Sequence, residues 1–178
     1  MKEQTLHKED WDGTNLEFLM NMLASKNGMI CWKARKSLVT LGNPAVPSLI
    51  RTLQNAKLDH LRWEVVKILG AIGDAKAIPS LVMALEDKSP DVAWLAAEAL
   101  KKLKKAAWPA LLHTLIKRGP YSVLLRQGAH HVLKNQKENG FNDLLKTLIK
   151  ALELESGETP GTIAVTAYEI LKRMEKKS

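Results

Sequence analysis

The sequence repeats a helical pattern every 31 residues, and this period constrains the fold more than any other feature. Trp32, Trp63 and Trp94 are each separated by 31 residues. Counted from the residue two positions before each tryptophan, apolar or small residues recur at +4, +7, +8 and +11, with Ser37 as the one polar exception. This spacing places them on one face of an α-helix. We therefore predict a series of equivalent amphipathic helices, each buried along one stripe.

A second type of helix alternates with the first. Its signature is an apolar residue followed by leucines three and seven positions later, and it begins at Leu16, Val46, Ile78, Trp108 and Phe141. In three copies the second residue is proline, which fits the first turn of a helix because its missing N–H has no partner there. Pairing the two types predicts five antiparallel helix pairs over about 14–41, 45–73, 77–105, 107–137 and 140–176. We expect one domain spanning 1–178, with 1–13 as an N-terminal cap or tail.

The predicted fold is all-α, a right-handed α-α superhelix of about five helix pairs. One pair cannot bury its apolar stripe alone, whereas stacked pairs share a continuous core. A single cysteine excludes a disulfide scaffold, and the N-terminus carries no apolar signal-peptide segment. Apolar runs are too short for a membrane span. We therefore expect a cytoplasmic protein.

The segment LRWEVVKILGAIGDAKAIPSLVMALEDKSPDVAWLAAEAL resembles the HEAT repeat, and most of all the short HEAT-like variety named after phycobilisome lyases. The resemblance covers nearly the whole chain and is strongest over 29–104. Tetratricopeptide repeats place their proline at the end of the second helix, and the ankyrin T-P-L-H motif is absent, so neither fits. In HEAT-like solenoids the second helix of each pair lines the concave surface. The resemblance thus implies a groove formed by the tryptophan-bearing helices.

The tryptophans fall nearly opposite the buried stripe of their helices, at about 100° per residue. They would form an aromatic ladder along the groove, with lysines between them that attract carboxylates or phosphates. The alternative interpretation is that each tryptophan packs the seam between neighbouring repeats. The candidate binding residues are Trp32, Lys36, Trp63, Lys67, Trp94, Lys101, Gln127, His131, Lys134 and Lys172.

The sequence shows no catalytic or metal-binding constellation. Cys31 stands near a helix start, which could lower its thiol pKa, but a small buried hydrophobe is the favoured interpretation. The five histidines lack metal-ligand spacing. Iron hydroxylases built from HEAT repeats use His-Glu dipeptides, and none occurs in this sequence. We therefore predict no catalytic residue, no metal and no cofactor.

The leading functional hypothesis is a non-enzymatic interaction scaffold that binds a protein or peptide partner, with an acidic one favoured by the lysines, in its groove. The formal net charge of +8 and the lysine-rich stretch 101–137 keep nucleic-acid binding, including a role like DNA repair, as an alternative. A second alternative is an accessory enzyme like a bilin lyase, which rests on the family name alone.

Overall fold

The computed structural model describes residues 13–153 and 160–176. The predicted N-terminal cap or tail lies outside the described residues except for Gly13. Every regular element in the described ranges is a helix, and the all-α solenoid prediction is confirmed. None of the helices in these ranges is long and apolar enough to cross a membrane.

The chain folds into five consecutive helix pairs, and short 3₁₀ turns precede three of the first helices. The α-helices are α1 (Gly13–Leu23), α2 (Gly28–Leu41), α3 (Val46–Asn55), α4 (Asp59–Ile72), α5 (Ile78–Ala84), α6 (Pro90–Leu103), α7 (Trp108–Arg118), α8 (Val123–Leu133), α9 (Asn142–Glu153) and α10 (Pro160–Glu175).

Local sequence signals set where several helices begin. The Asn27 side chain accepts hydrogen bonds from the backbone N–H groups of Met29 and Ile30 at 3.0 and 3.3 Å, which caps α2. The Ser122 hydroxyl accepts from the Leu125 N–H at 3.1 Å and caps α8 in the same way. Prolines occupy the first turn of three first helices, as predicted: Pro47, Pro79 and Pro109.

The first four pairs stack in two parallel rows. The second helices α2, α4, α6 and α8 pack in succession, and the first helices α3, α5 and α7 form the other row. The apolar stripe between the rows is buried, as at Val65, Ile68 and Leu69 of α4. Helices α4 and α6 approach so closely that a Cβ atom on Gly70 would lie 2.9 Å from the Ala99 Cβ. The core is therefore continuous from one pair to the next.

The fifth pair reverses this arrangement. Helix α9 packs against α8, whereas α10 packs against α7 and α9. As a result α9 extends the row of second helices and α10 extends the row of first helices. The predicted placement of Lys172 on the groove wall is therefore wrong, because Lys172 lies on α10. Its apolar pattern identified a helix with one buried face but not the neighbour which that face would meet.

A buried arginine joins the second pair to the third. Arg62, at the start of α4, is 6% exposed. Its guanidinium donates to both carboxylate oxygens of Asp87, at 2.6 and 2.8 Å, and to Asp59 at 2.7 Å. The remaining Nη1 donates to the carbonyl oxygens of Ala56 and Lys57. The hydrogen bond to Asp87 leads the groups that raise the pKa of Arg62, so the clamp is ionised at neutral pH.

Candidate functional site

The solvent-facing side chains of α2, α4, α6 and α8 form one surface, which we call the second-helix face. Trp32 and Trp94 are 48% and 56% exposed on it, which is unusual for such large apolar side chains. Eight of the ten candidate residues share this face with Trp94: Trp32, Lys36, Trp63, Lys67, Lys101, Gln127, His131 and Lys134. The face is thus aromatic and basic on α2 and α4, and more polar on α6 and α8.

On α2 and α4, each tryptophan lies beneath the lysine one helical turn further on. The Lys36 Nζ lies 5.4 Å from the Trp32 ring centroid, and the Lys67 Nζ lies 4.3 Å from that of Trp63. Both are cation–π contacts. They hold the aromatic surface next to positive charge, an arrangement that suits an acidic or polar segment lying across it.

Trp63 differs from the other two tryptophans, because it is only partly exposed and packs against the core. The Arg35 guanidinium of α2 lies 6.0 Å from its ring centroid and pairs with Glu64 at 3.3 Å. Trp63 therefore covers a largely buried ion pair at the seam between α2 and α4. Here the seam-packing interpretation describes the contacts better than the ladder does.

Trp63→Ala should consequently lower the free energy of unfolding by about 2 kcal/mol, because it removes apolar packing and opens the Arg35–Glu64 pair to water. Trp32→Ala is the matched control and should change it by less than about 0.5 kcal/mol, since Trp32 is exposed. Urea denaturation followed by circular dichroism measures both. Equal losses in the two variants would contradict a seam role specific to Trp63.

A cleft of about 280 Å³ opens beside Trp94, between α6 and α8. Small residues leave the space, since Ala93 and Ala97 face Gly128 across it. A Cβ atom on Gly128 would lie only 3.0 Å from the Leu85 side chain, so the fourth pair can approach this closely only with glycine there. The lining is mostly apolar and comprises Leu85, Pro90, Ala93, Trp94, Ala97, Leu124, Gln127, Gly128 and His131.

A polar group borders this cleft. The His131 Nε2 lies 2.5 Å from the Glu98 Oε1, and the Lys101 Nζ lies 3.5 Å from the same oxygen. The hydrogen bond with His131 lowers the pKa of Glu98; burial opposes this, and Lys101 adds to the lowering. The ring centroids of His131 and Trp94 are 6.3 Å apart. Glu98 thus fixes the imidazole beside the indole, where the two rings form one wall of the cleft.

Two of the predicted groove residues, Lys101 and Lys134, also line a second cleft, which lies at the edge of the solenoid where α6 and α8 end. The structure therefore brings together Trp94, Gln127 and His131 in one cleft, and Lys101 and Lys134 in the other. Sequence reasoning missed the lining residues Leu85, Pro90 and Leu124. Only the 49% exposure of Leu124 marks it as unusual, and that value requires the structure.

The Cys31 thiol is buried and inert rather than activated. It donates to the Leu23 carbonyl oxygen at 2.9 Å, and the His60 Nε2 lies 3.5 Å away. Burial raises the pKa of Cys31, nearby Glu64 raises it further, and Arg35 lowers it. The suggestion that the helix start could lower this pKa is wrong, because desolvation dominates. Within 13–153 and 160–176, no group of three or more His, Cys, Asp or Glu side chains could hold a metal ion.

Comparisons with known proteins agree with this architecture. The sequence profile described as HEAT repeats matches residues 16–101 and 46–134. Twelve chains of solved structures match. One belongs to the complex of CpcE and CpcF of phycocyanin lyase from Nostoc sp. PCC7120, with a TM-score of 0.58 and 22% identity over 88% of this chain and 99% of that chain. Among curated proteins, no match is found. At this identity the structural likeness shows the fold alone.

Proposed function

Because the chain belongs to the HEAT-repeat family, a family of helical repeat scaffolds, we propose that it is a non-enzymatic scaffold that binds a partner protein along the second-helix face. The observation that carries this proposal is the apolar cleft beside Trp94, which lies on the most exposed part of that face. A cleft of about 280 Å³ suits one large apolar side chain of a partner segment. The compartment we propose is the cytoplasm, in keeping with the buried free thiol of Cys31.

The arrangement of charge favours a segment with acidic residues on one side of its apolar anchor. Lys36 and Lys67 are exposed beside the tryptophans of α2 and α4, about one and two repeats from the cleft. Near the cleft itself, Glu98 offsets the charge of Lys101. A partner segment would therefore place its apolar side chain at α6 and α8 and its acidic residues over α2 and α4. The solved neighbour is itself a complex of two proteins, which supports a protein partner.

Neither alternative function has comparable support on this face. Nucleic-acid binding would call for an unbroken basic track, but Glu98 interrupts the lysines at the cleft. Lyase activity is stated for the neighbour, and 22% identity does not carry it to this chain. The cleft beside Trp94 has no hydroxyl or thiol in its lining to act as a nucleophile.

Selection from a random peptide library tests the proposal. We expect selected peptides to carry a large apolar residue, with acidic residues to one side of it. Their affinity should fall less than about tenfold between 50 and 200 mM salt, whereas a complex dominated by phosphate contacts loses roughly 10³–10⁵-fold over that range. The measurement is fluorescence anisotropy at both salt concentrations, with a single-stranded oligonucleotide in parallel. Failure to select peptides, or tighter oligonucleotide binding with the steep salt dependence, would overturn the proposal.

A further inference from the structure

Two loops meet at the edge of the solenoid and enclose a basic cleft of about 300 Å³. One loop joins α6 to α7, and the other follows α8. Trp108, Asn135, Gln136 and Glu138 contribute to the lining. The other lining residues are all lysines: Lys101, Lys104, Lys105, Lys134 and Lys137. This cleft is distinct from the apolar one beside Trp94.

Acidic side chains compensate only part of this charge. Lys105 pairs with Glu138 at 2.9 Å, and Lys101 pairs with Glu98 at 3.5 Å. Lys104, Lys134 and Lys137 form no ion pair with any acidic side chain in the part of the chain that the structure describes. Three uncompensated ammonium groups around one small cleft repel one another, so an anion bound between them would be stabilised.

The loop that carries Lys134 and Lys137 is held in place by hydrogen bonds at its centre. The Trp108 indole N–H donates to the Gln136 Oε1 at 2.8 Å, and the Gln136 Nε2 donates to the Val132 carbonyl oxygen at 2.9 Å. The Glu138 N–H donates to the Asn142 Oδ1 at 2.9 Å. The frame of the cleft is thus built by the fold, and binding an anion would cost little ordering of the backbone.

The backbone at the cleft departs from the rule that the other repeats follow. The residues that end the second helices, at positions 42, 73, 104 and 135, are equivalent, and all four have positive φ. Gly42 and Gly73 suit this conformation, because only glycine adopts it without strain. The two repeats that form the cleft have Lys104 at φ 52° and Asn135 at φ 67° instead.

Lys104 even shares the ψ of the corresponding glycine, at −135° against −137° for Gly42. A lysine is therefore kept where a glycine would be more stable, and its side chain lines the cleft. Strain retained at such a position is typical of a functional site. Together with the uncompensated charge, it points to a ligand rather than to packing.

We propose that this cleft binds a small polyphosphate group, as found in inorganic polyphosphate or in a nucleoside triphosphate. Lysine ammonium groups act as point charges that suit phosphate, and the lining contains no arginine to fork onto a planar carboxylate. Trp108 is buried and its indole N–H is already used, so the cleft offers no aromatic surface on which a nucleic-acid base could stack. Its volume lies at the small end of ligand sites.

The decisive variant is Lys104→Gly, which removes one ammonium group and relieves the backbone at once. Calorimetric titration at low ionic strength should show that tripolyphosphate binds this variant about tenfold more weakly than the wild type. The melting temperature without ligand should rise by about 2–4 °C. Higher stability together with weaker binding cannot be produced by damage to the fold. Lys134→Gln should weaken binding similarly with no gain in stability.

Lys102→Gln is the matched control, because Lys102 belongs to the same lysine run and is exposed but does not line the cleft. It should change the affinity by less than about twofold. ATP separates the two sources: affinity equal to that of tripolyphosphate means that the phosphates alone are recognised, and tighter binding identifies a nucleoside triphosphate. Three results would overturn the proposal: no binding at millimolar ligand, equal losses in Lys102→Gln and Lys104→Gly, or an oligonucleotide that binds while tripolyphosphate fails to displace it.

Discussion

Arg62→Ala should lower the free energy of unfolding by about 3–5 kcal/mol, the largest loss of stability that we expect from a single substitution here. The variant leaves the Asp87 carboxylate, with its side chain 10% exposed, without its bidentate partner. It also leaves the carbonyl oxygens of Ala56 and Lys57 without the donor that joins them to α4. Urea denaturation measures the free energy, and the melting temperature should fall on the order of 10 °C.

Arg51→Ala is the matched control, because Arg51 is an exposed arginine on the neighbouring helix α3, and its removal should matter by less than about 0.5 kcal/mol. The pH dependence provides a second test. Burial raises the pKa of Asp87, but hydrogen bonds from Arg62 and the Ser89 N–H lower it by more, so the net pKa is below the usual value.

In the wild type this depressed pKa contributes stability that is present above about pH 4 and is lost as the pH falls through the folded-state pKa. In Arg62→Ala, burial dominates and the pKa of Asp87 rises above its usual value. Acid then protonates a destabilising charge, which favours the folded variant. The difference in stability should therefore narrow between about pH 7 and pH 4. A difference that stays constant would mean that the charge of Asp87 is not what the clamp neutralises.

The repeats made most of the fold predictable. A stripe that recurs every 31 residues, together with proline in the first turn of alternate helices, leaves few architectures other than a stack of helix pairs. The reversal of the fifth pair was not predictable in this way. The segment around Ala167 has the same apolar spacing as the second helices, yet α10 joins the row of first helices. Periodicity reports that one face is buried, whereas the neighbour depends on how the chain turns between helices.

The candidate site was predictable in its residues but not in their roles. Helical geometry assigned Trp32, Trp63 and Trp94 to the same exposed side, and the structure finds Trp63 partly buried over an ion pair. That difference comes from Arg35 on the preceding repeat, and no single-helix argument includes a residue of another helix. The strained Lys104 was equally hidden, because its meaning depends on a φ angle that a sequence does not state.

Trp94→Ala should weaken the binding of a selected peptide at least tenfold, because a central aromatic anchor typically contributes about 2 kcal/mol or more. The structure separates this residue from Trp63, which now carries a stability effect of its own. Trp94 is 56% exposed, lines the cleft and contacts the His131 ring, so its removal should leave the helical content and the melting temperature unchanged. Anisotropy titration and circular dichroism on the same sample measure both properties.

Tyr168→Ala is the matched control for this prediction. Tyr168 is 57% exposed, almost the same as Trp94, but it lies on α10 in the row of first helices. Its removal should change the affinity by less than about twofold, since aromatic exposure alone does not make a binding site. Lys67→Ala should chiefly slow association and reduce its salt dependence, because an exposed charge steers the encounter more than it holds the complex. If Trp94→Ala binds normally while Lys36 and Lys67 variants lose all affinity, the second-helix face is an electrostatic track, and nucleic-acid binding should replace the peptide groove.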